Sequence, residues 1–328
     1  MGGYLVRRLL MLIPLLIGIT LVTFVLANEV PGSPVANLEM NPSARPADVQ
    51  RIKEQLGLDQ PLMLRYAQWL RHLSHGDLGL SLTTYRPVSR TIFEKLPNTL
   101  LLTGSALLLS LLISLPLGIV CATRRNMFVD RALAFMSTGG IAVPTFWLGM
   151  MLIVLFSVSF HRWGLPSLPA GGMYSLHGGG SLGDRVAHLV LPAVTLAFVQ
   201  TAVWFQYIRT QMIEVLQQDF MRVASAKGLS HRAVILRHGL RASLPPLITL
   251  LALEIPTLFS GAVVIEEIFS WNGIGRLIVD STMKRDYTVV MGTVLVISTI
   301  TILANVAADV ACAAVDPTLR LSNESTRD

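Results

Sequence analysis

The sequence predicts an all-α polytopic membrane protein with six transmembrane helices, and three observations support that class. Six apolar stretches are each long enough, at roughly 20 residues, to cross a hydrocarbon core. Of the 328 residues, 14% are charged and 52% hydrophobic, with a mean hydropathy of +0.58, whereas soluble domains carry about 25% charged residues. The basic residues fall unevenly on alternate connections, which selects one orientation.

The stretches run from Leu9 to Asn28, Asn98 to Thr123, Ala132 to Phe160, Ala187 to Tyr207, Leu247 to Ile268 and Val289 to Val315. Six crossings put both termini on one side. Arg7 and Arg8, then Arg124, Arg125 and Arg131, then six Lys or Arg from Arg209 to Arg241, and finally Arg320 in the tail all assign that side to the cytoplasm. The short outer connections carry fewer, Arg162 and Arg185 in one and Arg276, Lys284 and Arg285 in the other. The start has the outline of a secretory signal, but its apolar run of roughly 18 residues exceeds the usual 7 to 15 and no A-x-A-like cleavage site follows. It reads as an uncleaved first span.

Between the first two spans, the segment from Glu29 to Pro97 holds eight basic residues. Segments of this length translocate largely regardless of charge, so the topology stands. Pro46 to Leu56 and Pro61 to Leu73 read as short helices with proline in the first turn, the former ended by Gly57. The second places Leu62, Tyr66, Trp69, Leu70 and Leu73 on one face. The segment is expected to be a small helical lobe that packs on itself and on the membrane surface, with contact to an external partner as the alternative.

Pro14, Pro116, Pro144, Pro192 and Pro256 lie in or beside spans. Such prolines permit kinks in transporter and static bundle alike. No inverted internal repeat is visible.

The chemistry of an enzyme is missing. The chain has no H-E-x-x-H, G-x-S-x-G, C-x-x-C or P-loop. Cys121 and Cys312 fall near cytoplasmic ends of spans, where thiols stay reduced, and suggest neither a disulfide framework nor a metal site. The seven histidines (72, 75, 161, 177, 188, 231 and 238) are scattered and read as surface or interface residues rather than metal ligands. The net charge of +6 and pI near 9.7 reflect cytoplasmic loops, not a nucleic-acid groove.

Ionisable groups inside apolar spans usually face a cavity or a partner. Glu254, with Pro256 two residues on, and Asp309 are the clearest cases. Glu254 could line a translocation path and favour a cationic group such as a substrate amino terminus; equally, a hydroxyl or an arginine of an adjoining subunit could satisfy it. Glu266 and Glu267 end the fifth span and read as structural.

The inner segment, 212–242, is the most informative. Met212 to Lys227 reads as a helix with Phe220, Ala224 and Gly228 four apart, a bulky anchor followed by almost bare backbone. Gly228 fits a left-handed C-terminal cap. Ser230 can N-cap a second short helix reaching His238 to Arg241, and Ser243 with Pro245 and Pro246 can start the fifth span in the same way. The product is a rigid elbow whose small residues allow close approach.

Here the chain resembles the inner-membrane permeases of ATP-binding-cassette importers, whose cytoplasmic loop carries E-A-A-x-x-x-G. The corresponding residues are Arg222-Val-Ala-Ser-Ala-Lys-Gly228, so that Ala224 and Gly228 match while Arg222 and Val223 replace the Glu and first Ala. The extended form, Asp219-Phe220, Ala224-x-Ala226-Lys-Gly-Leu229, Val234, His238, Leu240 and Pro246, resembles the first, B-type subunit of the dipeptide, oligopeptide and nickel branch. Further matches run in order along the chain: Pro31-Gly-Ser-Pro34, Leu56-Gly-Leu-Asp-x-Pro61, Gly76-Asp-Leu-Gly79, Pro144-x-Phe-Trp147, Phe269-Ser-Trp-x-Gly-x-Gly-Arg276, Arg285-Asp-Tyr287 and Asp316-Pro317. Ala242, where the branch has Asn, and the extra Pro245 depart from it.

The resemblance implies a non-catalytic permease subunit importing small peptides, with nickel chelates or glutathione as alternative cargo. Implied partners are a homologous second permease, two ATPase subunits, a periplasmic solute-binding protein and membrane lipid. ATP and Mg would bind at the ATPases, so this chain itself would hold no cofactor. Coupling to the ATPases would rest on Phe220, Ala224, Ala226, Gly228, Leu229, His238, Leu240 and Pro246. The expected division is 1–28, the cytoplasmic N-terminus and first span; 29–97, the periplasmic lobe; 98–315, the permease core containing the coupling segment; and 316–328, a cytoplasmic tail. Rival classes are a self-contained channel or proton-coupled carrier, which would need gating or relay charges in the spans, and a static scaffold.

Overall fold

In lipid a backbone must satisfy its own N–H and C=O groups, and a helix does so within one segment. The computed structural model describes residues 2–29, 45, 47, 50, 53, 60–175 and 180–315. Among them the regular structure is helical, apart from one isolated antiparallel bridge between Leu80 and Pro87. The helices are α1 (Gly2–Glu29), α2 (Leu62–Ser74), α3 (Val88–Thr123), α4 (Phe128–Ala142), α5 (Thr145–Leu152), α6 (Leu182–Leu216), α7 (Asp219–Ala226), α8 (His231–Ala233), α9 (Leu240–Ile268), α10 (Ile274–Met283) and α11 (Tyr287–Val315). Four are long and apolar enough to cross a membrane, Val88–Thr123, Thr145–Arg162, Leu182–Leu216 and Tyr287–Ala308, and Leu12–Asn28 is a shorter apolar helix. The helix expected over Pro46 to Leu56 lies almost wholly outside the described residues, as do Pro31 to Pro34, Gly57 and the tail from Asp316.

The third expected span is interrupted. Instead of one helix from Ala132 to Phe160, α4 stops at Ala142 and α5 starts at Thr145. Pro144 has no N–H to donate, and its ring forces the preceding residue out of the helical region. Val143 is accordingly extended, with ψ 121°. Beyond Leu152, α5 continues through a π-helical stretch, Ile153–Ser159, to Arg162. There the Phe160 N–H reaches back five residues to the Leu155 carbonyl.

The chain divides into two units. The first comprises Met1–Thr99 and Asn272–Leu303. In it the amphipathic α2 lays its apolar face on α1: Tyr66 packs against Phe24 with ring centroids 5.4 Å apart, and Leu21, Leu62, Trp69 and Leu70 surround the pair. The buried Tyr66 hydroxyl bonds the Ile17 carbonyl and Thr20 Oγ1, each at 2.9 Å, as a phenol in an apolar layer must. A second cluster joins Leu78, Val88, Ile92, Ile274, Leu277 and Val289. Gly292 lets α11 close on it, because a Cβ there would stand 2.7 Å from Val88 Cγ1.

The second unit comprises Leu100–Trp271 and Ala304–Asp328. Leu102 and Ala106 of α3 meet Leu191 to Ala197 of α6, while Ala122 and its neighbours meet Trp204, Ile208 and Met212. Low numbers meet low and high meet high, so the two helices run parallel. Gly118 is a point of close approach: a Cβ would lie 2.7 Å from Ile208 Cγ2, the use of small residues expected between helices in lipid. Thr195 and Thr201 spend their hydroxyls on the carbonyls of Leu191 and Ala197, both at 2.7 Å, which satisfies these two groups within the helix itself. Gly172 N–H donates to the Phe269 carbonyl at 2.8 Å and pins the loop after α5.

Candidate functional site

The elbow predicted over 212–242 is present, but its elements divide differently. The single helix from Met212 to Lys227 is two. α6 carries Met212 and ends at Leu216, where Gln217 and Gln218 donate to the Glu214 and Val215 carbonyls, three residues back. Gln218 is then extended, ψ 150°, and α7 begins at Asp219. α7 stops where expected. Gly228 has φ +82°, in the left-handed region open to glycine, and its N–H bonds the Ser225 carbonyl at 3.1 Å. Ser230 caps the next helix, its Oγ accepting from the Ala233 N–H at 3.3 Å.

The third expectation, an N-cap at Ser243, is corrected. α8 passes through a π-helical turn, Val234–Gly239, directly into α9, and the Leu240 N–H bonds the carbonyl of Ile235, five residues back. No free helix start remains to cap. Ser243 is buried and donates to its own Leu240 carbonyl at 2.8 Å.

The face of α7 also differs from the one inferred from four-residue spacing. Ala224 does not lie beside Phe220 on the outside; at 6% exposure it is buried with Met221 against Val215 and Val234. The outward residues are Phe220, Val223, at 53% exposure, and Leu229 beyond the cap. Ala226, Lys227 and Gly228 are exposed with them, and a Cβ at Gly228 would meet nothing within 4 Å. Asp219 and Arg222 form a 3.7 Å ion pair at the solvent edge, a contact of little energetic weight. The elbow therefore presents an apolar outer surface with a charged margin, held from beneath by small and flexible side chains.

Gly239 is a structural residue that sequence reasoning missed. A Cβ there would stand 3.3 Å from Met221 Cε and 3.4 Å from Met212 Cε, so this glycine lets the π turn pass beneath α7. The only sequence signal was the glycine itself, between His238 and Leu240. Those two, with Pro246, are half-buried on the α8 to α9 path rather than on the outer face. Tyr207 Oη lies 3.5 Å from the Pro246 carbonyl.

A second missed feature is Asp130 in the first turn of α4. Its Oδ2 accepts from Arg209 Nη2 at 2.8 Å and from the Asn126 N–H at 2.9 Å, while Oδ1 accepts from Arg209 Nε. The Arg209 guanidinium and the Asn126 N–H together satisfy this buried carboxylate. The sequence signal was a lone acid among Arg124, Arg125 and Arg131.

Of the possible pathway residues, Glu254 is half-buried in α9, Pro256 follows in the same helix and Asp309 lies in α11, the side chains of the latter two being outside the described residues. Among the described residues no group of three His, Cys, Asp or Glu could hold a metal ion.

The chain that carries this elbow has known relatives. Residues 114–321 match the family described as binding-protein-dependent transport system inner membrane component. The chain belongs to this family. Residues 1–103 match the companion N-terminal family of the same membrane components. The chain is 41% identical to the oligopeptide transport system permease protein AppB of Bacillus subtilis over 318 residues, 97% of this chain and 99% of that one. It is 37% identical to the glutathione transport system permease protein GsiC of Escherichia coli K12, over 98% and 99%. Among solved structures, a chain of the MetNI methionine ABC transporter, in inward-facing conformations, matches with TM-score 0.53 and 17% identity, covering 70% of this chain and 97% of that one. That likeness concerns the fold. The permease is thus an inner membrane component of an ATP-binding-cassette transport system, and its elbow falls inside the matched region.

Proposed function

We propose that this permease forms one half of a pathway importing small peptides, the other half being a homologous permease. A solute-binding protein delivers cargo from outside, and two partner ATPases bind ATP and Mg and supply the energy; this chain catalyses nothing and binds no cofactor. The observation that carries the reading is the elbow, whose apolar outer surface at Phe220, Val223 and Leu229 sits between the Gly228 cap and a π turn that runs directly into α9. When the ATPases close on ATP they move the elbow, and α6 and α9, continuous with it, switch access between the two sides. Ala224, His238, Leu240 and Pro246 support that surface from within, and Ala226 and Gly228 border it.

The topology has six spans: α1, α3, the α4 and α5 pair, α6, α9 and α11. Both termini are cytoplasmic, and a lobe over 29–97 faces the outside. The domain division is the one drawn from the sequence. Glu254, Pro256 and Asp309 are candidates for the path. Peptide cargo is supported by the 41% identity to an oligopeptide permease. Glutathione, itself a small peptide, is the second reading, supported by the 37% identity to glutathione permeases.

The test is uptake of a labelled peptide library and of glutathione into proteoliposomes holding the permease, its companion permease and both ATPases, with and without binding protein. ATP-dependent, binding-protein-dependent uptake is expected. Equal uptake by the permease alone would establish a self-contained channel or carrier instead.

A further inference from the structure

The turn between α3 and α4 carries three arginines and two large apolar side chains within eight residues, and the coupling role uses none of them. Arg124, Arg125 and Arg131 are all exposed. Met127 and Phe128 between them are 58% and 85% exposed, adjacent apolar side chains beside the cationic groups. The only carboxylate in the turn is Asp130, and it is withdrawn: 1% exposed, it is bonded to Arg209 and to the Asn126 N–H. Arg125 also acts on it electrostatically. Arg209 thus cancels the one local negative charge, and the charge of three exposed guanidiniums is left without a balancing acid on the turn.

The turn is also fixed in shape. Asn126 takes φ +67°, a conformation asparagine tolerates better than most residues. The Met127 N–H bonds the Arg124 carbonyl and the Arg131 N–H the Met127 carbonyl, both at 3.1 Å. A preorganised cationic turn bearing a protruding phenyl ring and a thioether combines the two attractions of an interfacial lipid site: guanidinium to phosphate, and apolar side chain to acyl chain.

We propose that this turn binds the headgroup of an anionic phospholipid of the cytoplasmic leaflet, with Arg124, Arg125 and Arg131 on the phosphate and Met127 and Phe128 inserted beside the acyl chains. The proposal rests on the cytoplasmic orientation given above. Its occupant is a lipid rather than a soluble anion, because phosphate alone gives Phe128 nothing to contact.

The test uses the complete transporter complex in neutral detergent, titrated with phosphatidylglycerol and read by native mass spectrometry. Each arginine near an anionic surface is worth about a fivefold gain in binding. The triple variant Arg124→Gln, Arg125→Gln, Arg131→Gln is therefore expected to lose on the order of 100-fold in retention of its lipid. Phe128→Ser, which keeps every charge, is expected to weaken retention about tenfold, and it keeps the proposal testable should the triple variant not fold. Arg162→Gln with Arg185→Gln, at the other connections, should change nothing. Equal retention by wild type, triple variant and Phe128→Ser would overturn the site. Displacement of the lipid by excess inorganic phosphate would also overturn it, as would loss of ATPase subunits from the triple variant with lipid retention unchanged. Labelling of an Asn126→Cys variant from the outer face of sealed vesicles would overturn the orientation instead, a readout separate from the lipid count.

Discussion

Asp286 accepts a hydrogen bond from Ser81 across a sequence separation of 205 residues. The same carboxylate takes the Leu82 N–H at 3.1 Å, the Thr83 N–H at 3.2 Å and the Thr83 and Thr288 hydroxyls, both at 2.9 Å. A turn at 81–85 is thereby fastened to the start of α11 by one buried side chain.

Burial by itself would raise the Asp286 pKa, but the Ser81, Leu82, Thr288 and Thr83 hydrogen bonds together outweigh it and hold the carboxyl below its usual range. A depressed folded pKa means stability that is present above the unfolded value, near pH 4, and lost as pH falls through the folded one. Asp286→Ala leaves several donors unpaired and should cost roughly 3 kcal/mol. Thermal unfolding of the purified permease at pH 7 checks this, and the gap between wild type and variant should narrow only under strongly acidic conditions.

Gly118 and Ile208 set the spacing of α3 and α6. Gly118→Val should destabilise by about 1–3 kcal/mol through overpacking. Adding Ile208→Ala should recover part of the loss, since the two sites share one contact. A melt of wild type, the two single variants and the double measures the coupling, and strict additivity would show that the helices do not meet there.

The two faces of α7 should respond differently to charge. Val223→Asp, on the outside, should leave the permease in the membrane but sharply reduce co-purification of ATPase and peptide uptake. Ala224→Asp buries a carboxylate against Val215 and Val234 and should lower the amount of folded permease itself. Membrane abundance measured alongside ATPase recovery separates the two effects.

Gly228→Ala meets no steric obstacle and should cost about 1 kcal/mol for its left-handed backbone, with most uptake retained. Gly228→Asp places a charge at the edge of the contact surface and should abolish substrate-stimulated uptake with assembly intact. Normal uptake by the aspartate variant would remove Gly228 from the coupling surface.

Breaking one side of the Asp130 and Arg209 pair should cost more than removing both. Asp130→Asn leaves a guanidinium without its partner and should destabilise by about 3–5 kcal/mol. The double variant with Arg209→Gln should be milder, and thermal stability of the three variants decides.

Composition and period made the helical class, the apolar stretches, the amphipathic α2 and the position of the Gly228 cap legible from the sequence, because each depends on residues within one or two turns of one another. Local rules failed where another segment intervened. Val143 and Pro144 were visible, yet a proline is compatible with a kink or a full break, and here the helix breaks. The inward turn of Ala224 was hidden because spacing fixes which residues share a face, whereas Val215 and Val234 decide which face is covered. The same holds for Ser243, whose capping role vanished when a π turn joined α8 to α9.

What the amino-acid sequence determined by itself is therefore a lipid-embedded helical chain with a basic elbow and the signature of a transport permease. Tertiary structure alone decided that Met221 and Ala224 support the elbow while Phe220, Val223 and Leu229 present it, that Gly239 makes room beneath it, and that Arg209 claims Asp130. The physical reason is common to all three: backbone preference and apolar period are local energies, while burial, close approach and charge pairing depend on atoms far apart in the chain.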